Sequence, residues 1–255
     1  MRDSVEKFSG RVAEYEKYRE RYDPDLVLPL LREWCGLRPE WTVADVGAGT
    51  GMLSEVFLAN GNHVLAIEPN AEMRGACARL FASNASLQVV DGCAEETGLA
   101  SASVEMVSAG RALHWFDLDP AMREFRRILR PQGWVAVVSV GRDDGGREEN
   151  LALEEMLRPF TQNEEGTRTA YAVYARLEQA FTGGVFHQAE VEGEMEMDWE
   201  QLRGKTLSYS HAPLPGSDRF PELERALDAY YERFQSGGKV TLATRCRVNA
   251  GQFAD

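Results

Sequence analysis

The sequence predicts an α/β protein built on one doubly wound, seven-stranded, mostly parallel sheet, with helical additions at the N-terminus and late in the chain. Three observations predict it. From about residue 41 to 141, short β-like apolar runs alternate with helical patterns, as βα units feeding a parallel sheet require. Between the first such run and its helix stands a glycine turn, Gly47-Ala-Gly-Thr-Gly51. From Asp143 the alternation gives way to the polar stretch 143–150 and then to a largely helical tract, Leu151 to Phe181.

Taken in order, Val43 to Val46 is an apolar run suited to a buried strand, read over 42–47. Gly47, Gly49 and Gly51 let the backbone turn sharply and approach a ligand where a Cβ would collide. Met52, Leu53, Val56, Phe57 and Leu58 then recur at helical spacing up to Asn60-Gly61, which gives a helix over 51–60. Further strands are expected at 62–67, 87–91, 103–109 and 134–141, and helices at 70–83 and 117–130, with Pro131-Gln-Gly133 as the turn closing the last of these. Val185 to Met197 alternates like an edge strand, a helix is read near 221–235, and Lys239 to Val248 is the last strand after the turn Ser236-Gly-Gly238. This organisation divides the chain into an N-terminal lid (1–30), an α/β core (31–142), cap insertions carrying an edge strand (143–237) and a final core strand (238–255).

Composition narrows the function. The 255 residues carry 41 acids against 28 Lys and Arg, a net charge of -13, which disfavours nucleic acid and anionic membranes as partners. Cys35, Cys77, Cys93 and Cys246 are scattered, with no Cys-x-x-Cys and no His at ligand spacing, so neither a metal site nor a disulfide framework is signalled. Met1 to Lys7 lacks the apolar core of a signal peptide and no apolar stretch approaches membrane-spanning length, so a soluble, cytoplasmic protein is expected.

The glycine turn decides between two nucleoside-binding chemistries. A dinucleotide site needs Gly-x-Gly-x-x-Gly, with the third glycine where the helix packs beside a pyrophosphate. Met52 stands there instead, and the spacing is Gly-x-Gly-x-Gly. Glu68 follows the second strand, at the end where an acid takes both hydroxyls of a ribose. Asp45 lies inside the apolar first strand, where an unpaired carboxylate is costly, so it is expected to accept hydrogen bonds from the turn or from a cofactor.

Five segments extend this reading: Asp45-Val-Gly-Ala-Gly-Thr-Gly51, Glu68-Pro-Asn70, Gly92-Cys-Ala-Glu95, Ala112-Leu-His-Trp-Phe-Asp117 and Leu129-Arg-Pro-Gln-Gly-Trp134. In this order and at these spacings they resemble the class I S-adenosylmethionine-dependent methyltransferases, specifically the small-molecule branch with the ubiquinone/menaquinone-type and trans-aconitate-type enzymes. The resemblance implies a Rossmann-like fold, S-adenosylmethionine as cofactor with S-adenosylhomocysteine as product, and a small-molecule methyl acceptor, and it leaves the oligomeric state open.

It also implies roles. Gly47, Gly49 and Gly51 would surround the methionyl part of the cofactor, Asn70 and Met73 would wall the adenosine, and Ala48, Pro69 and Gly110 are counted with them as cofactor-binding. Relatives place an acid where this chain has Cys93, so adenine would be held by groups near Cys93 and Ala94 and by Asp91 or Glu95. Relatives fold a Tyr-Arg-Pro-x-Tyr stretch over the cofactor. Tyr18-Arg-Glu-Arg-Tyr22 matches it with Glu20 in the proline position, which makes Arg19 the partner of the methionyl carboxylate and Tyr15, Tyr18 and Tyr22 lid residues. Arg111, counted with Gly110 among the cofactor-binding residues, stands where Gln is common, and either attracts an anionic substrate or pairs with an acid. His114 and Trp115 flank the methyl-transfer region, although a histidine among aromatic rings is often structural, and Tyr209 faces the substrate cavity or, with Ser208 and His211, simply ends a helix. His114 and Tyr209 are the catalytic candidates. A non-catalytic binder of the same cofactor is the alternative reading, and a nicotinamide oxidoreductase a third, disfavoured by Met52.

Overall fold

Strand β1 (Thr42–Val46) lies at the middle of the molecule, and from Val43 to Val46 it is buried without a break, as a strand covered on both faces must be. The computed structural model describes residues 12–143, 146–160 and 173–254. Glycines delimit the next helix, α3 (Met52–Asn60): Gly51 enters it at φ +89° and Gly61 leaves it at φ +95°, both in the left-handed region. Strand β2 (His63–Ile67) returns parallel to β1, paired from Thr42 with His63 to Val46 with Ile67. Helix α4 (Ala71–Leu80) starts on Asn70, whose side-chain oxygen accepts from the Glu72 and Met73 amides, and leads to β3 (Leu87–Val90).

After β3 the chain crosses back over β1. Strand β4 (Val104–Gly110) pairs with the free side of β1, helix α5 (Leu118–Ile128) packs on the sheet, and β5 (Leu129–Arg142) extends the parallel set. The expected turn at Pro131-Gln-Gly133 lies within β5 as an irregularity, with Gln132 at φ +64° and a register shift against β4 between Val104 and Met106.

Two long antiparallel strands complete the sheet in the order β3-β2-β1-β4-β5-β7-β6. Strand β7 (Val240–Gln252) inserts beside β5 and runs four residues beyond the expected Val248, while β6 (Val185–Met197) takes the edge. Helix α6 (Glu148–Leu157) lies between β5 and β6, and α7 (Trp199–Leu207) and α8 (Phe220–Phe234) between β6 and β7, all packed around an apolar cluster that includes Leu153, Leu202, Leu223 and Leu227. The expected helical tract 151–181 is α6 followed by 3₁₀ turns at 158–160, 174–176 and 178–181; residues 161–172 lie outside the described residues.

At the N-terminal side, α1 (Val12–Tyr18) precedes α2 (Pro24–Cys35), which is capped by Asp23 and ended by Gly36 at φ +68°. The first eleven residues of the expected lid lie outside the described residues. Helix α2 buries Val27, Leu28, Leu31 and Cys35 in the same cluster as Phe57, Val138 and Val248, so the expected lid boundary at residue 30 falls inside a core helix. The natural break is the linker between α1 and α2. No helix among the described residues is long and apolar enough to cross a membrane.

Candidate active site

In an open parallel sheet, ligands bind outside the carboxyl ends of the strands where the strand order reverses, here between β1 and β4. The glycine turn, Glu68 and Gly110 all sit at that edge, following β1 and β2 and ending β4. A recess there is lined by Tyr15, Tyr22, Asp45, Gly47, Ala48, Met52, Leu53, Gly110 and Arg111.

The three glycines of the turn do different jobs. A Cβ on Gly47 would lie 2.6 Å from the Ala112 side chain, and one on Gly51 would lie 2.7 Å from the Phe81 ring, so protein already fills those spaces. Only at Gly49, φ +59°, would a Cβ meet nothing within 4 Å. Of the three, Gly49 alone presents an open face to a ligand, whereas Gly47 and Gly51 are glycines for packing. Gly110 belongs with the latter, its missing Cβ leaving room for the Tyr22 hydroxyl 2.7 Å away.

Glu68 is tied into this turn. Its Oε2 accepts from the Gly49 amide and its Oε1 from the Asn70 amide, each at 2.8 Å. Burial pushes its pKa up, against the pull of those two amides. Two acceptor positions remain on the carboxylate, enough for a diol. Asp45 is fully buried, and its oxygens accept from Ser54 Oγ at 2.6 Å and Ser108 Oγ at 3.0 Å. Its hydroxyl partners thus come from α3 and β4 rather than from the glycine turn, and burial, outweighing them, raises its pKa to about 6.

Beyond Glu68, Asn70 is occupied as the cap of α4, with Met73 buried beneath it, and the Pro69 carbonyl accepts from Arg74 at 3.0 Å. Arg74 also pairs with the exposed Asp91 at 3.0 Å. Cys93 and Glu96 exchange backbone hydrogen bonds in a tight loop, with Ala94 buried between them. Burial and a hydrogen bond to Glu95 push the Cys93 thiol up, so it is a neutral group. Glu95 accepts from the Asp117 amide at 2.8 Å and so helps hold the start of α5.

A group of charges that sequence reasoning missed closes the site from above. Glu20 accepts from Arg111 Nη1 at 3.0 Å and from Lys205 Nζ, while Arg111 Nη2 donates to the Glu20 carbonyl at 3.0 Å. Burial alone would raise the Glu20 pKa, but Lys205, Arg111 and Arg19 outweigh it and hold it at about 2. One carboxylate thereby joins the linker after α1, the residue after β4 and cap helix α7. Arg111 adopts φ +53°, a costly conformation for a side-chain-bearing residue, and lies over the Tyr22 ring. Of the two roles open to Arg111, the structure shows the acid partner, and both departures from the family pattern, Glu20 and Arg111, meet in one pair.

The aromatic residues divide likewise. Tyr15 and Tyr22 line the recess, whereas Tyr18 packs its ring on Gly204 of α7 and donates to Glu200 at 2.8 Å. Arg19 stands over the rings of Tyr15 and Tyr209, 5.1 and 5.0 Å from their centroids. Tyr209 stacks on His211, while Ser208 turns its hydroxyl onto the Lys205 carbonyl and ends α7, the structural job foreseen for it. His114 lies in a 3₁₀ turn against Trp115 and Tyr174, and burial, with Arg19 and Arg111 adding, lowers its pKa to about 4. At neutral pH it is an uncharged imidazole.

Comparison with known proteins finds methyltransferases. Residues 44–137 match the family model described as a methyltransferase domain. An uncharacterized methyltransferase of Mycobacterium tuberculosis (strain ATCC 25618 / H37Rv) is 33% identical over 143 residues, which cover 56% of this chain and 56% of that protein. Another, from Schizosaccharomyces pombe, is 30% identical over 54% of this chain and 53% of its own length. The chain thus spans about half the length of the curated relatives it matches. Among solved structures, a protein of Anaeromyxobacter dehalogenans assigned as a type II methyltransferase superposes with a TM-score of 0.63 at 23% identity, covering 92% of this chain and 98% of that one, a likeness of fold.

Proposed function

From the premise that the chain belongs to the class I S-adenosylmethionine-dependent methyltransferases, we propose that it transfers a methyl group from S-adenosylmethionine to a small-molecule acceptor enclosed under α1 and the helices α6 to α8. The observation that carries this reading is the joined pair Glu68 and Gly49 at the strand crossover, a carboxylate with two free acceptor positions beside a glycine whose open face would suit a ligand. The residues suit the cofactor: Glu68 would take the ribose hydroxyls, the glycine turn, open at Gly49, would lie along the methionyl part, and Cys93 with Ala94 would meet the adenine edge.

When bound, the sulfonium supplies an activated methyl group, and its displacement in line needs little acid or base help from the protein. This chain's contribution is then position and exclusion of water. Glu68 and the turn would hold the ligand, Arg19 would pair with the methionyl carboxylate, and Glu20, with Arg111 and Lys205, clamps the lid on the cap. His114, uncharged at neutral pH, is suited to orient an acceptor or to accept its proton, and Tyr209 stands on the cap side of Arg19. The acidic surface, net -13, supports a small acceptor over nucleic acid.

Calorimetric titration with S-adenosylhomocysteine and a screen following labelled methyl into a metabolite pool test the reading. We expect His114→Ala and Tyr209→Ala to cut turnover with cofactor affinity nearly unchanged, the pattern of a lost transition-state contact, and Arg19→Ala mainly to weaken the cofactor. Tight binding of S-adenosylhomocysteine without labelled product would favour a non-catalytic binder, an outcome to which Cys93 in the acid's place lends weight. Absence of binding would sink both.

A further inference from the structure

Segments from four parts of the chain gather cations above the site, Arg19, Arg111, Arg142 and Lys205, in a protein with a net charge of -13. Arg111 and Lys205 share Glu20. Arg19, the next cation, is the one matched to the cofactor's own carboxylate. Arg142 is left over. Its guanidinium lies 5.7 Å from the centroid of Tyr209, the ring that Arg19 also covers at 5.0 Å, and it has no ion pair among the described residues.

Its place in the fold sets it over the crevice. Strand β5 runs past the end of its parallel neighbour: Val138 pairs with Gly110, the last residue of β4, and the strand continues to Arg142 alongside β7 alone. Four further residues lift Arg142 about 13 Å above the edge where the glycine turn lies. That height belongs to the side facing the cap, where Tyr209 lies.

We propose that the methyl acceptor carries a carboxylate, which Arg142 receives beside Tyr209. This inference rests on the methyltransferase reading and adds the acceptor's chemical class to it. A guanidinium presents two parallel N–H donors matched to one carboxylate, and partial burial against an aromatic ring strengthens such a pair over its value in water.

The test is binding of a probe panel, acetate, hexanoate, benzoate and succinate against the matching amides, by calorimetry on the protein saturated with S-adenosylhomocysteine. We expect at least one carboxylate to bind about tenfold more tightly than its amide, and Arg142→Gln to abolish that preference with S-adenosylhomocysteine affinity held within about twofold. Arg142→Lys should restore part of it, as a point charge without the fork. Carboxylates and amides binding alike, no carboxylate binding at all, or a preference that survives Arg142→Gln would each overturn the assignment. Failure of S-adenosylhomocysteine itself to bind would instead overturn the methyltransferase reading beneath it.

Discussion

Replacing His114 by Gln should make the protein resist acid better than its parent. In the unfolded chain this histidine titrates at 6.5, and in the folded protein burial and the nearby Arg19 and Arg111 lower its pKa to about 4. Between those values the unfolded state binds a proton that the native state refuses, so the stability this residue contributes is complete above 6.5 and lost as the pH falls toward 4. At about pH 5, roughly 1.5 units below the unfolded value, protonation favours the unfolded state by about 2 kcal/mol. Asp45 works in the opposite sense: its pKa rises from 3.8 to about 6, so acidification through that range favours the native state, by about 1 kcal/mol at about pH 5. The parent protein therefore shows a muted profile in which the two groups oppose each other. Gln removes only the histidine's share. Urea unfolding of both proteins at about pH 7 and about pH 5 should show the variant gaining about 2 kcal/mol on its parent as the pH drops. Parallel behaviour at the two pH values would refute the buried, cation-flanked imidazole.

Glu68→Ala should weaken S-adenosylhomocysteine binding by about 1.5–3 kcal/mol, the scale of a charge-assisted hydrogen bond, and unchanged affinity in a titration would remove Glu68 from the site. Cys93→Asp should preserve or tighten that binding, since a carboxylate can accept from an adenine amino group, and a folded variant that no longer binds would refute the alignment of this loop. Glu20→Gln leaves Arg111 and Lys205 buried without their shared acid and should cost about 3–5 kcal/mol in urea unfolding; Lys205→Met, which still leaves Arg111 facing Glu20, should cost less. The reverse order would mean that Glu20 is not what holds the two cations.

Local features of the chain were legible where a residue type answers to its immediate neighbours. The buried run at β1, the glycine turn, Glu68 at a strand end and the alternation of β6 each depend on a few consecutive residues, and each took the expected place in the structure. Asn70 was equally legible as a helix cap, being an Asn before Ala-Glu-Met, yet it reads as a wall of the adenosine pocket when family likeness is followed instead. What stayed hidden depends on distant partners. Asp45 finds Ser108 across 63 positions, and Glu20 finds Arg111 across 91 and Lys205 across 185, separations at which nothing in the local pattern selects one acid from 41. The insertion of β7 between β5 and β6 is hidden for a similar reason, since hydrophobic alternation shows that a strand exists but not which neighbour it chooses.

Among the described residues, strand β6 leaves one side of the sheet without a neighbour along thirteen residues, an invitation for another chain to pair there. Glu190, Glu192, Glu194 and Glu196 stand at every second position, and so on one face, each matched from within by Arg245 and Arg247, Arg245, Arg147 or Lys239. Antiparallel docking of a second β6 would lay its own glutamate row against this one, where like charges directly opposite repel, and no spare cation accompanies the newcomer. The acidity that sets this chain apart in composition is thus partly a fence. Such a row disfavours the pairing of two β6 edges, while positive charge gathers at Arg111 and Lys205 around Glu20.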